Sequence, residues 1–337
     1  MAKVSVIGSG GWGTAVAIML AENGHNVVLW SYFKDECLAL RENKENIPFL
    51  PGVKIPDNVT FEYEISKCVD VDLIITASPS HAMRNTAKLL ATAVKKGQII
   101  LNISKGLEEG TLYTMSQVLK EELPQCEIAV MSGPSHAEEV SRKIPTTNVV
   151  AAEKEETAYM IQDIMMNSRF RIYTNPDILG VELGGSLKNV IALCAGVLDG
   201  MGLGDNTKAA LMTRGIVEMA RLGVAMGAKP ETFTGLSGIG DLIVTCTSMH
   251  SRNRRAGILI GQGMSVKQAQ DEVKMVVEGV KTCSAAYALA KKVGVEMPII
   301  NEAYKALFEG MPVKQAIDNL MSRERKHESE KAFLDLE

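Results

Sequence analysis

The first half of the chain alternates short apolar, β-branched runs with longer segments in which apolar residues recur every three or four positions. Runs at 3–7, 26–30, 71–77, 98–103, 127–131, 148–152 and 170–173 have the length and composition of buried strands. Helical periodicity fills gaps between them, at 13–23, closed by Gly24 as a C-terminal cap, and at 80–94. Strands alternating with helices predict a mostly parallel, doubly wound α/β sheet covered on both faces, with ligands at the carboxyl ends of the strands.

Past Asn175 the pattern changes. Strand signals stop near Pro176, and the remaining periodicity predicts helices at 177–198, 206–226 with Asp205 as N-cap, 252–262, 265–272, 280–292, 298–308 and 313–321. Two domains are therefore expected, an α/β domain over 1–175 and an all-α domain over 176–337. The highly charged stretch 322–331 is expected to be a solvated helix end or a frayed tail.

Composition fits that plan. A chain of 337 residues with 46% hydrophobic and 23% charged residues is an ordinary folded protein, neither disordered nor a disulfide-stapled miniprotein. Its net charge of −4 gives no bulk attraction to nucleic acid or membrane, so any anion site must be local. Cys37, Cys68, Cys126, Cys194, Cys246 and Cys283 form no CxxC pair and read as reduced thiols. The N-terminal apolar run is too brief for a secretory signal, and no stretch approaches the ~18 to 20 apolar residues of a membrane span, so a cytoplasmic protein is expected. The five histidines are dispersed and no HExxH appears; no metal is expected.

Gly8-Ser9-Gly10-Gly11-Trp12-Gly13 fits GxGxxG directly after the first strand and at the mouth of a helix. Gly8 would allow the tight turn, Gly10 the approach of a pyrophosphate and Gly13 close helix packing, and the free N–H groups of the helix start suit a dinucleotide; a purely structural glycine turn is the alternative. The second strand ends in Trp30-Ser31-Tyr32-Phe33-Lys34, with no carboxylate at its end, and Asp35 and Glu36 come a turn too late. Lys34 reads as a partner for a 2′-phosphate or as a surface charge, and Tyr32 as a platform for adenine. The expectation leans to NADP(H) with NAD(H) tolerated.

Three constellations point to a substrate. In Glu182-Leu183-Gly184-Gly185-Ser186-Leu187-Lys188-Asn189, Gly184 lies one turn before Lys188, and two glycines inside a helix, at about 1 kcal/mol each, would leave room for a small ligand beside the ammonium. Lys188 is then an acid–base group with a lowered pKa, or else a solvated lysine. In Gly235 to Thr245, Asp241 and Thr245 could share one helical face, with Asp241 an accessible carboxylate or an N-cap. Ser251-Arg252-Asn253-Arg254-Arg255 offers donors at a helix start, for a phosphate or as a solvated basic face.

Gly8 to Gly13, Ser104-Lys105-Gly106, Ser132-Gly133-Pro134-Ser135-His136-Ala137, Glu182 to Asn189, Gly235 to Thr245 and Ser251 to Asn253, taken in order, resemble the NAD(P)-dependent glycerol-3-phosphate dehydrogenases of the bacterial type. The resemblance implies reversible reduction of dihydroxyacetone phosphate to sn-glycerol 3-phosphate, the backbone of glycerophospholipids. It also implies an N-terminal Rossmann domain and a C-terminal helical domain similar to that of 6-phosphogluconate dehydrogenase.

Carried over residue by residue, it makes Lys188 the proton donor and acceptor and places Lys105 between nicotinamide and substrate. Gly133 and Ser135 would contact substrate and Ala137 the cofactor. Asp241 with Thr245 would orient Lys188 or a substrate hydroxyl, supported by Asn189. Ser251, Arg252 and Asn253 would hold the phosphate, with Arg252 also reaching the cofactor. Val276 and Glu278 would close over the nicotinamide or its ribose, and Gly11 and Trp12 would cover the pyrophosphate. Where many relatives carry Arg or His after the second strand, Tyr32 and Phe33 stand here.

The implied partners are a small-molecule substrate and no nucleic acid, with a homodimer as the candidate assembly. Hydride transfer to a carbonyl builds an alkoxide, and Lys188 and Lys105 would supply positive charge to it. The competing expectations are a β-hydroxyacid or 6-phosphogluconate-type dehydrogenase, whose substrate carries a carboxylate, and a dinucleotide-sensing protein without turnover.

Overall fold

Apolar runs without alternation become strands buried on both faces, and these set the centre of the molecule. The computed structural model describes residues 1–325, 327 and 328. Its first half runs β1 (Lys3–Ile7), α1 (Gly11–Glu22), β2 (Asn26–Trp30), α2 (Lys34–Asn43), β3 (Glu45–Asn46), β4 (Leu50–Lys54), β5 (Val59–Glu62), β6 (Leu73–Thr76) and α3 (Met83–Ala91). It continues with β7 (Ile99–Asn102), α4 (Met115–Glu122), β8 (Glu127–Ser132), α5 (Ala137–Val140), β9 (Thr146–Ala151), α6 (Glu155–Met165) and β10 (Phe170–Asn175).

Eight strands form one sheet in the order β10-β9-β8-β7-β6-β1-β2-β5, and every neighbouring pair is parallel except β8 with β9. Val4, Val6, Leu73, Ile74 and Ile75 are fully buried, as expected for central parallel strands. From β1 the sheet grows towards β2 on one side and β6 on the other, so a crevice opens at the carboxyl end of β1.

All seven predicted strand runs are strands in the structure, with ends shifted by a residue or two. The small β3–β4 pair, the short edge strand β5 and helices α2, α4 and α6 are additions. The start of α4 carries a readable signal, because Thr114 and Gln117 make a reciprocal capping box.

The second half is helical: α7 (Ile178–Gly200), α8 (Gly204–Ala225), α9 (Pro230–Phe233), a π-helical turn at Leu236–Gly240, α10 (Asp241–Thr247), α11 (Arg252–Gly261), α12 (Val266–Val273), α13 (Glu278–Val293), α14 (Pro298–Phe308) and α15 (Val313–Met321). Asp205 is not the N-cap of α8; that position is Leu203, and Asp205 lies in the first turn, where a carboxylate still favours the helix start. The charged stretch 322–331 lies partly outside the described residues.

Helix α7 organises this half and corrects the expectation about membrane length. By length and composition its 23 residues would suffice to cross a membrane, but 89% of its apolar window is buried, so it is apolar all round because helices surround it. Its contact with α11 is glycine-lined: a Cβ on Gly196 would stand 2.1 Å from Arg254 O, and one on Gly257 2.1 Å from Leu193 O. The two halves are tied by polar contacts. The buried Glu182 carboxylate accepts from Ser116 N at 2.8 Å and Ser116 Oγ at 2.5 Å, and Ser186 Oγ accepts from Gly106 N at 2.9 Å.

Candidate active site

The glycine loop sits at the crevice. Gly8 has φ +128°, and a Cβ there would meet the Ala77 backbone at 2.8 Å; one on Gly13 would lie 2.0 Å from Gly8 O. Neither position accepts another residue without moving backbone. A Cβ on Gly10 would meet nothing within 4 Å, so the loop is open on the side where a pyrophosphate would approach. Gly10 is the N-cap of α1, contributes no side-chain cap, and the first turn holds no acidic residue. A helix start with uncommitted N–H groups and no competing carboxylate fits the phosphates of a dinucleotide. Trp12 packs partly on the core beside the loop, and the Ala137 Cβ approaches Gly11 from α5.

At the end of β2, Tyr32 and Phe33 are exposed and meet edge to face, with ring centroids 5.1 Å apart. Lys34 Nζ stands 5.4 Å from the ring centroid of Tyr63. The first turn of α2 folds Glu36 back towards the end of β2, where its Oε2 accepts a hydrogen bond from Ser31 Oγ at 3.0 Å.

Below the crevice, three elements converge on one carboxylate. Lys188 from α7 donates to Asp241 Oδ1 at 2.8 Å and to Thr245 Oγ1 at 2.6 Å; Lys105, after β7, donates to Asp241 Oδ2 at 2.6 Å and to Gly133 O at 3.1 Å. Thr245 Oγ1 in turn donates to Asp241 O at 2.6 Å, so Asp241 and Thr245 share the helix face their spacing implied. Asp241 is neither an N-cap nor accessible. It is the first residue of α10, 1% exposed, and both of its oxygens are held by lysines.

Burial lowers the Lys188 ammonium to about 8; Lys105 adds to that effect and Asp241 opposes it. Burial pushes the Asp241 carboxyl up, but the charges and hydrogen bonds of Lys105 and Lys188 outweigh it and hold the carboxyl below its usual range. Two ammonium groups sharing one carboxylate leave the site with surplus positive charge, which suits a developing oxyanion.

Gly184 and Gly185 have a different purpose from the one their sequence suggests. A Cβ on Gly184 would stand 2.7 Å from Ser237 O, and one on Gly185 2.3 Å from Ser132 Oγ. The room they create is filled by the chain itself, which brings the π-helical turn before Asp241 against α7.

The donors at 251–255 divide. Ser251 caps α11 by accepting from Arg254 N, and Arg254 pairs with Asp199 at 2.8 Å. Asn253 donates to Asn189 Oδ1 at 2.9 Å and accepts from Gly279 N at 2.8 Å, linking α11 to α7 and α13. Among the described residues Arg252 makes no ion pair; burial works against its charge, while Glu278 and Glu138 support it. Glu278 opens α13 and accepts from Ser80 Oγ at 2.9 Å, bringing the α13 start to the loop after β6; Val276 beside it is exposed. Ser135 Oγ donates to Gly133 O at 2.9 Å.

Sequence reasoning passed over His136. Its Nε2 is buried without a partner, its ring lies 5.7 Å from that of His250, and burial, together with the charge of Lys188, holds it below the usual imidazole range. Only its place between Ser135 and Ala137 pointed to it.

Residues 3–158 match the family model described as NAD-dependent glycerol-3-phosphate dehydrogenase N-terminus, and residues 177–318 the model for the C-terminus. The chain is 55% identical to a glycerol-3-phosphate dehydrogenase [NAD(P)+] of Agathobacter rectalis, over 97% of this chain and 98% of the relative. It is 52% identical to one of Fusobacterium nucleatum, over 97% and 99%. A crystal structure of glycerol-3-phosphate dehydrogenase from Coxiella burnetii superimposes with a TM-score of 0.92 at 36% identity, covering 96% of this chain and 99% of that one.

Proposed function

The chain belongs to the NAD-dependent glycerol-3-phosphate dehydrogenase family, and on that premise we propose that it reduces dihydroxyacetone phosphate reversibly to sn-glycerol 3-phosphate, a precursor of glycerophospholipids. The α/β half supplies the glycine loop for the dinucleotide, and the helical half brings Lys188, Asp241 and Arg252 to the substrate site. The six unpaired cysteines accord with a reducing cytoplasm.

The bound nicotinamide supplies the hydride. Gly10, Gly11 and Trp12 would hold the pyrophosphate at the α1 start, with Ala137 beside them, and Val276 and Glu278 would close over the nicotinamide or its ribose. Lys188, fixed by Asp241 and Thr245, gives a proton to the carbonyl oxygen during reduction and takes it back from the hydroxyl during oxidation. Lys105 adds a second positive charge, and its bond to Gly133 O sets the loop that carries Ser135. Arg252 is the main phosphate donor, with Ser251 and Asn253 beside it and Asn189 bracing Asn253.

The observation that carries this reading is the single buried carboxylate shared by Lys188 and Lys105. The test is NADH or NADPH oxidation with dihydroxyacetone phosphate against β-keto acids of similar size. Turnover with the phosphate alone is expected; faster turnover of a keto acid would replace this reading with that of a β-hydroxyacid dehydrogenase.

A further inference from the structure

Choosing between a ribose 2′-hydroxyl and a 2′-phosphate falls to the groups at the carboxyl end of β2. Ser31 there is 1% exposed; its Oγ accepts from Ser9 Oγ at 2.9 Å and donates to Glu36 Oε2 at 3.0 Å. Ser9 belongs to the glycine loop between β1 and α1, so Glu36 is two hydrogen bonds from the segment that faces the dinucleotide. Ser31 uses one of roughly four acceptor positions of the carboxylate, which leaves capacity for a further donor. The N-terminal end of α2 also favours an acidic side chain at this point.

Lys34 is directed the other way. Its ammonium lies over the ring of Tyr63, which follows the edge strand β5, on the side of β2 away from the glycine loop. The only charged side chain bonded to the end of β2 among the described residues is therefore acidic, although no acidic residue stands there in the sequence.

We propose that Glu36, fastened to Ser31, selects the cofactor: its carboxylate accepts a ribose hydroxyl of NAD(H) and repels the 2′-phosphate of NADP(H). Tyr32 and Phe33 beside it form an aromatic wall for adenine. This selection rests on the dehydrogenase reading for its cofactor class, and it reverses the NADP(H) preference that Lys34 suggests in the sequence.

The test is direct binding, with the full-length protein titrated with NADH and with NADPH and read by nicotinamide fluorescence. The parent is expected to bind NADH at least about tenfold more tightly. Glu36→Gln is expected to bring the ratio close to one, chiefly by tightening NADPH, whereas Asp35→Asn, which removes the same charge one residue away, leaves it within about twofold. Tighter NADPH binding by the parent, or an unchanged ratio in Glu36→Gln, overturns the proposal. Turnover of dihydroxyacetone phosphate is scored separately: selective binding without that turnover would refute the proposed reaction and leave the role of Glu36 standing.

Discussion

Lys188 Nζ lies 2.8 Å from Asp241 Oδ1, across 53 positions of chain. Each member makes the other's burial tolerable, since Lys188 is 6% and Asp241 1% exposed and neither could hold its charge there alone. Replacing Asp241 by Asn removes the anion from between two ammonium groups and leaves both uncompensated. Asp241→Asn is expected to cost about 3 to 5 kcal/mol of stability in denaturant unfolding, the usual cost of breaking a buried pair from one side. A loss below about 1 kcal/mol would mean that water or an anion readily replaces the carboxylate.

The direction of catalysis should divide on pH. With Lys188 as the proposed proton donor, reduction would need it protonated and oxidation would need it neutral. With the ammonium lowered to about 8, kcat/KM for dihydroxyacetone phosphate is expected to fall as pH rises through about 8, and that for glycerol 3-phosphate to rise over the same interval. Because Asp241 supports the ammonium, a variant that retains activity after Asp241→Asn should show both limbs displaced to lower pH. Profiles of the two directions measured with saturating cofactor check the sign.

Arg252 should act on the phosphate. Arg252→Ala is expected to weaken dihydroxyacetone phosphate by ~1.5 to 3 kcal/mol in kcat/KM and to affect unphosphorylated dihydroxyacetone much less. Arg252→Lys should recover only part, because an ammonium retains the charge without the planar fork. Equal losses for both substrates would place its action on the cofactor or the fold.

How much of this was legible depended on whether the signal was local. Buried strands such as Leu73–Thr76 are continuous apolar runs, and the loop from Gly8 to Gly13 combines a strand end, a turn and a helix start within a few residues, so both read directly from sequence. Asp241 and Thr245 could be paired by helical spacing, but nothing local indicates that Lys105 shares the same carboxylate from the other half of the chain. Gly184 and Gly185 gave the right location and the wrong reason, because the backbone and side chain that fill their space come from Ser237 and Ser132. The bond from Ser31 to Glu36 was not legible either, because counting along an extended strand ignores how the first turn of α2 folds a side chain back. His136 lacked any signal beyond its neighbours.

If Lys188 moves the proton while the dinucleotide is held elsewhere, loss of its ammonium should separate chemistry from cofactor binding. Single-turnover hydride transfer to dihydroxyacetone phosphate, followed by nicotinamide absorbance in Lys188→Ala beside a cofactor titration of the same variant, tests it most directly. Cofactor affinity is expected to stay within about threefold of the parent while the rate of hydride transfer falls by at least about a thousandfold. Hydride transfer near the parent rate, with cofactor affinity intact, would contradict this expectation and return Lys188 to a structural role beside Asp241.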